Sequence, residues 1–407
     1  MSVAVKDLRE RVRRLPGMAR LLPALQGLPP TYLVGGAVRD LLCGAEGVDL
    51  DLAVEGDAGY AARVLGERLS GLPREHERFG TATVVADGLS FDLAATRRET
   101  YERPGALPLV EPAPLADDLV RRDFSINAMA VGLSGDDLGH LYDPHGGLDD
   151  LRAGLVRVLH ERSFVDDPTR LLRALRYEAR LGFAMDADTE KLARKAIAEG
   201  APATVSGTRI GDELMDLLAE PEAPAAVKRM HELGLDKALN PALRADAELV
   251  ASAAVVADIV GADRALAGLG ALVWSDPAAL AGWLDELGLT AGRREAALRA
   301  AASGPQLARD LRGELASSRV YELLVREPPE ALALALALGA ASEPVLRWVS
   351  ELSSVRLEIG GEDLMGAGVP EGPAVGRGLE AALRRKLDGE VSGREEELQA
   401  ALEAASG

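Results

Sequence analysis

The chain has 407 residues, with 65 Asp and Glu against 46 Lys and Arg, a net charge of −19 and only 3% aromatic side chains. That length allows several packing units, and the ordinary apolar and charged fractions exclude a disordered or fibrous chain. The negative sum excludes a wholly basic nucleic-acid binder but leaves local basic patches open, and so few aromatics exclude a single-strand binder built on stacking platforms.

A lone cysteine, Cys43, leaves no internal disulfide framework and fits a reducing, cytoplasmic setting. Five scattered His and one Cys give no zinc-site spacing. No run of about 18 uncharged apolar residues reads as a membrane span, and no signal pattern precedes the first charges.

In chain order, residues 5–28 read as helical, with a break at Pro16-Gly17. From Tyr32 to about Tyr142 short β-rich runs ("TYLVGG", "VDLDLAV", "TATVVA", "LSFDLAAT") alternate with helical stretches such as "GYAARVLGERLSGL". Arg103 to Asp118, with four prolines, reads as largely non-helical loop. From Arg152 onward the pattern is helical, with Pro/Gly breaks near 201, 221, 241, 304 and 328. Near the end, a turn around Pro370 to Gly372 separates two helices. The fold class expected is α+β: a small mixed sheet followed by helices.

Asp49 and Asp51 stand two apart in an apolar run, so on a strand they share one face. Adjacent carboxylates repel unless they share a proton or bind a cation, and oxygen ligands suit Mg²⁺, which takes substrate phosphates as further ligands. Upstream, Gly35-Gly36 lets backbone N–H groups approach an anion, and Arg39 adds charge. A bare D-x-D is more often a solvated hairpin; the glycine pair and Arg39 upstream reverse that preference. Asp92, on a second short strand, offers the third carboxylate of a two-metal phosphoryl-transfer site.

In "DDLVRRDFSINAMAV", Arg121, Arg122 and Asp123 precede what reads as an apolar helix start. Asn127 lies four residues after Asp123, on the same face if the segment is helical. The plainer reading is a solvated first helical turn. In "SFVDDPTRLLRALRYEARLGF", Pro168 suits a first helical position and makes Asp167 an N-cap. The sharper reading pairs Asp167 with Arg170: a carboxylate accepts from an exocyclic amino group while a guanidinium donates to the neighbouring ring acceptor. Cytosine and adenine both offer that edge; guanine and uracil do not. Arg173 and Arg176 follow at three-residue steps as a slanting stripe.

With these motifs together, the sequence resembles the class II tRNA nucleotidyltransferase and poly(A) polymerase family of the polymerase-β superfamily. The resemblance lies in "GGAVRD…DLD", "DLVRRDFSINAMA", "YDPHGGLDDL", "SFVDDPTRLLRALRYEARLGF" and "TRIGDEL", over residues 32 to about 215. It implies a nucleotidyltransferase head over 1–150, a helical neck over 151–220, a helical body over 221–310 and a tRNA-contacting tail over 311–407.

The resemblance also implies Mg²⁺ on Asp49 and Asp51, with Asp92 completing the catalytic carboxylates. Gly36 and Arg39 would contact the triphosphate, while Arg122, Asp167, Arg170, Arg173 and Arg176 line the nucleotide pocket. Gly35, Asp123 and Asn127 join the nucleotide-binding candidates. One departure stands out: Asp166-Asp167 replaces the family's usual Glu-Asp.

The expected activity is template-independent addition of C and A to the 3′ end of tRNA from CTP and ATP, with no membrane association. The alternatives are a partial CC-adding or A-adding enzyme, or a poly(A) polymerase. A non-catalytic binding protein would not keep the carboxylates. Switching from C to A calls for a mobile element, and Arg103 to Pro114 is the candidate. In the tail, Arg377, Arg384, Arg385 and Lys386 are candidates for tRNA contact.

Overall fold

The structure, a computed structural model, describes residues 8–45, 49–76 and 80–406. It divides into two compact units, one of residues up to 206 with 233–238, the other of 207–232 with 239–407.

The first unit opens with α1 (Leu8–Arg14) and α2 (Met18–Ala24), which flank the Pro16-Gly17 break. Then come β1 (Thr31–Val34), α3 (Gly36–Cys43), β2 (Leu50–Val54), α4 (Ala58–Leu69), β3 (Leu72–His76), β4 (Thr81–Ala86) and β5 (Leu89–Ala95). After β6 (Arg97–Thr100), β7 (Leu109–Pro112) and α5 (Leu115–Val120) the chain adds β8 (Ala130–Gly132) and β9 (Leu141–Tyr142). The seven-stranded sheet has the order β3-β4-β5-β2-β1-β8-β9, in which only β2 and β5 run parallel. β6 and β7 pair separately as a hairpin. Helices α6 (Gly147–Ala153), α7 (Ser163–Asp166), α8 (Thr169–Leu181) and α9 (Ala187–Ala198) follow.

Strand alternation positions the site. Leu50 and Leu52 of β2, with Phe91 and Leu93 of β5, are buried, whereas Asp51 and Asp92 between them are exposed. Ala61, Ala62, Leu65 and Leu69 of α4 are buried as that helix packs on β4 and β5. Burying one face commits the alternate residues to the other. The two carboxylates therefore share the open face.

In the second unit, Ala247–Val260, Arg264–Val273, Ala291–Asp310 and Pro329–Ala337 pack on one another, and Pro373–Leu387 packs on Arg394–Ala405. Among the described residues this unit holds no strand. The turn around Pro370 to Gly372 does separate two helices, Gly361–Gly366 and Pro373–Leu387.

Three expectations need correction. The Pro-rich segment is not largely loop: Leu109–Pro112 pairs with Arg97–Thr100, where Pro112 ends the strand, and Leu115–Val120 is helical. The segment after Asp123 is not a helix but a single 3₁₀ turn, Ser125–Asn127, leading into the fully buried β8. A strand buried on both faces loses its alternation, so its apolar run is indistinguishable from a helix start. Gly304-Pro305 does not break Ala291–Asp310, which runs through it. A Cβ on Gly304 would lie 3.1 Å from the Leu334 side chain, so that glycine permits a close helix–helix approach.

Candidate active site

Asp51 and Asp92 are register partners across the parallel β2–β5 pair, which puts their side chains next to each other. Asp49 is not on the strand; it sits one residue before β2, and its carbonyl accepts from the Asp51 N–H at 3.1 Å. The closest lateral neighbour of Asp51 is therefore Asp92, and Asp49 approaches from the strand end. Asp92 Oδ1 accepts from Thr83 Oγ1 at 2.6 Å, which fixes its carboxylate. Burial, then Asp92, then Asp49 push the Asp51 carboxyl above its usual range, and Arg122 pulls it back only in part. Among the described residues no three carboxylate, His or Cys groups converge into a ready-made cage. The donor set is nonetheless all oxygen, and its like charges are crowded. That fits a hard divalent ion held by one or two carboxylates and completed by phosphates and water.

Beside this face the chain turns from β1 into α3. Gly35 has φ 67° and ψ −133°, a conformation that favours glycine, and a Cβ there would lie 2.8 Å from Arg122 Nη1. No side chain caps α3, leaving the first-turn N–H groups of Gly36 and Ala37 without helical acceptors. Arg39, one turn on, does not lie open. It is 3% exposed; Nε and Nη2 donate to Asp40 at 2.8 and 2.9 Å, and Nη1 donates to Asn127 Oδ1 at 2.8 Å.

Asn127 continues this network, donating from Nδ2 to Asp123 Oδ1 at 3.0 Å. The two side chains meet across the 3₁₀ turn, not on a helix face. Asp123 Oδ1 also accepts from the Phe124 N–H at 2.8 Å, and Oδ2 accepts from Arg173 Nε and Nη2 at 2.9 and 2.7 Å. Burial pushes the Asp123 carboxyl up, but Arg173, the Asn127 hydrogen bond and Arg170 outweigh it and hold it below the usual range.

Arg121 and Arg122 converge on Asp118, which is 1% exposed and accepts from Arg121 Nε and Arg122 Nη2 at 2.9 Å each. Burial raises this carboxyl too; the paired guanidiniums win, and it falls below its usual value. Arg121 Nη1 also donates to Glu99 at 3.0 Å, and the Tyr101 hydroxyl donates to Glu99 at 3.1 Å. Burial and then Glu99 push the Tyr101 phenol up to about 12. The β6–β7 hairpin is thus tied, near its turn, to the segment carrying Arg121.

On α8, Arg170 is buried; Nη1 donates to Ser163 Oγ at 2.7 Å and Nη2 to the Arg121 carbonyl at 2.8 Å. Pro168 is the cap residue and Thr169 the first helical one. Asp167 Oδ1 accepts from the Thr169 N–H at 3.1 Å and its hydroxyl at 2.7 Å, so the capping role read from sequence is real but shifted by one residue. Asp166, where the family usually has Glu, accepts from Arg162 at 2.8 Å and lines a cleft of about 230 Å³ with Tyr101, Arg121, His160 and Arg170. Arg173 and Arg176 sit over the Tyr177 ring at 5.7 and 5.9 Å from its centroid, and Arg39 approaches it at 5.2 Å.

Sequence reasoning missed Asp40, Asp118, Tyr177 and Glu99. Asp40 and Asp118 had a signal, since each lies beside or within one helical turn of a candidate arginine. Tyr177 and Glu99 had none without the tertiary contacts.

Comparison with known proteins follows the same residues. The family model "Poly A polymerase head domain" matches residues 31–157, and "Probable RNA and SrmB- binding site of polymerase A" matches 182–246. The A-adding tRNA nucleotidyltransferase of Geobacter sulfurreducens is 37% identical over 402 residues, 92% of this chain and 45% of that protein. The CC-adding tRNA nucleotidyltransferase of Deinococcus radiodurans is 43% identical over 202 residues, 48% of this chain and 52% of that protein. The chain thus spans about half the length of these curated relatives. The solved structure of the Thermotoga maritima CCA-adding enzyme complexed with tRNA_CCA is 32% identical, covers 98% of both chains and has a TM-score of 0.77. The chain belongs to the tRNA nucleotidyltransferase and poly(A) polymerase family. The family's head match takes in the Asp51–Asp92 face, the Gly35 turn and Asp123. Helix α8, with Asp167 to Arg176, falls between the two matched stretches.

Proposed function

We propose that this chain adds C and A nucleotides to the 3′ end of tRNA, using CTP and ATP, to build a CCA end. The observation that carries the reading is the union in one unit of two kinds of group. Paired carboxylates occupy the open face of β2 and β5, and a braced cluster of arginines lies on α3 and α8 and in the Arg121-Arg122 segment. Carboxylates alone suit many metal sites; with an arginine cluster close by they suit transfer of a nucleotidyl group. A divalent ion on Asp49 and Asp51, with Mg²⁺ the choice favoured by the all-oxygen donor set, would activate the attacking 3′ hydroxyl and neutralise the triphosphate. Asp92, the register partner of Asp51, would add negative charge that helps to retain it. The Gly35-Gly36 turn and uncapped α3 offer N–H groups to phosphate oxygens, with Arg122 beside them. Arg173 and Arg176 bring further positive charge to the phosphates.

Base choice is assigned to Asp167 and Arg170. An Asp167 carboxylate can accept from an exocyclic amino group while the Arg170 guanidinium donates to the neighbouring ring acceptor. Arg39, Asp123 and Asn127 act behind the pocket as braces. We further infer that the first unit combines the head with the neck up to residue 206, and that the second takes in the end of the neck, the body and the tail.

A second reading, addition of A alone, is favoured by the 37% identity to an A-adding relative across most of this chain. Labelled ATP and CTP offered with tRNA and with an unstructured RNA of equal length test the reading. Incorporation of both labels into tRNA alone supports it. ATP incorporation into both RNAs would instead identify a poly(A) polymerase, and incorporation of neither label would refute transfer altogether.

A further inference from the structure

Strand pairing draws one row of side chains across the sheet. Arg74 of β3 pairs with Thr83 of β4, Thr83 with Asp92 of β5, and Asp92 with Asp51 of β2. Residues paired in register share a face, and the 2.6 Å hydrogen bond from Thr83 to Asp92 shows it directly. The neighbours of Arg74 point the other way. A Cβ on Gly59 of α4 would lie 2.7 Å from the Glu75 side chain, and one on Gly66 would lie 2.9 Å from that of Pro73, so both face α4. Arg74 therefore stands on the open face, exposed, and no ion pair with a described residue holds it. The next row on this face is Leu72, Val85 and Ser90. Leu72 is 73% exposed and Val85 43%, an uncovered apolar pair beside a cation.

The direction of this row bears on the reaction. The Gly35 turn, with Arg122 beside it, follows β1, and the sheet order puts β1 on the far side of β2 from β5. In an in-line displacement the attacking and leaving oxygens lie on opposite sides of phosphorus. With the triphosphate held on the β1 side, the attacking hydroxyl comes from the β5 side. We propose that the open face of β3, β4 and β5 is the track for the 3′-terminal nucleotides of the acceptor RNA. Arg74 contacts a backbone phosphate there, and Leu72 and Val85 pack against ribose or base. This rests on the nucleotidyl-transfer reading above. Strands stand about 4.8 Å apart, so β3 lies about 10 Å from β5, and the RNA chain behind a 3′ hydroxyl at Asp92 passes over it. The charge is complementary: a guanidinium forks onto phosphate oxygens, whereas the neighbouring carboxylates repel the same backbone. Arg74 meets the acceptor only, so its loss weakens RNA binding and leaves nucleotide binding alone.

The test compares wild type with Arg74→Gln, Arg74→Lys, Val85→Glu and, on the α4 side, Arg63→Gln, whose guanidinium donates to Glu75. It reads KM for tRNA, KM for CTP and ATP, and tRNA binding without nucleotide as salt is varied. Arg74→Gln is expected to raise KM for tRNA about tenfold, the low end for one charge-assisted contact, and to keep KM for CTP and ATP within about twofold. Its salt slope should fall by about 0.7, the share of one phosphate of a single strand. Val85→Glu puts a like charge on the track and should raise KM for tRNA about as much. Arg74→Lys keeps the charge and should hold KM within about threefold of wild type, and Arg63→Gln should change neither constant. An unchanged KM for tRNA in Arg74→Gln would overturn the proposal, as would a rise confined to CTP and ATP, or an equal rise in Arg63→Gln. A wild-type chain that binds tRNA but extends it with neither nucleotide would refute the transfer reading instead, and the salt slopes would still decide whether Arg74 touches RNA.

Discussion

Asp123→Asn isolates the brace behind the arginine cluster. The substitution keeps side-chain volume, and an amide oxygen can still accept from Phe124 and Asn127. It also turns an amide N–H₂ towards Arg173, replacing two charge-assisted hydrogen bonds with opposed donors. The Asp123 side chain is 10% exposed and Arg173 is 29% exposed, so the guanidinium can partly rehydrate while the amide cannot. Charge-assisted bonds contribute about 1.5–3 kcal/mol each; with rehydration, a net loss of about 2 kcal/mol is expected. All three tryptophans lie in the second unit, at Trp274, Trp283 and Trp348, so tryptophan fluorescence would not see this loss. Amide hydrogen exchange of peptides covering 115–130 and 169–181 would: about 2 kcal/mol is roughly 30-fold faster exchange. The pH dependence has a fixed sign. Asp123 is held below its usual range when folded, so its stabilisation is complete above the unfolded value near 4 and is lost as pH falls through the folded one. After correction for intrinsic exchange rates, the difference between variant and wild type should be constant from about pH 7 to 5 and shrink below about pH 4. Less than about threefold faster exchange at pH 7, or a difference that grows on acidification, would refute the reasoning.

Asp51→Asn should abolish nucleotide addition while tRNA binding persists. Without divalent ion it should leave the fold at least as stable at neutral pH, because a carboxyl whose folded pKa is raised costs stability once ionised; thermal unfolding and an extension assay read the two effects. Asp167→Ala should cost about 1 kcal/mol through the lost Thr169 cap and also weaken rejection of GTP and UTP, a base edge being worth about 1–3 kcal/mol; lower stability with unchanged selectivity would leave Asp167 only a cap. Lys386→Met should destabilise the second unit by about 2 kcal/mol, since Glu397 is fully buried and would lose its ammonium partner at 2.6 Å. Arg385→Met, at an exposed pair, should cost under about 1 kcal/mol, and tryptophan-detected urea unfolding compares the two. Deleting Arg103 to Pro108, the connection between β6 and β7, should block A addition and spare C addition; equal loss of both would remove the segment from the switch.

The open face of β2 and β5 was legible in the sequence because alternation is a local signal: Leu50-Asp51-Leu52 and Phe91-Asp92-Leu93 announce one buried and one exposed face. That Asp51 lies beside Asp92 depends on parallel register, which sequence spacing does not carry. The arginines were legible by type and step but not by state. Arg39 reads as an open phosphate contact, yet Asp40 and Asn127, 88 positions downstream in the second case, bury it in a network. In the tail the basic side chains Arg384, Arg385 and Lys386 were legible, but not their acceptors Glu322, Glu403 and Glu397. Ion-pair partners come from other helices, and a helical sequence shows only its own face.

Extension of three tRNA substrates, ending at the discriminator base, at C and at CC, by purified protein with each nucleoside triphosphate separately tests the central claim most directly. The expected result is addition of C to the first two, addition of A to the third, and none from GTP or UTP. Absence of any extension in the presence of Mg²⁺, or extension that ignores which nucleotide is supplied, would contradict it.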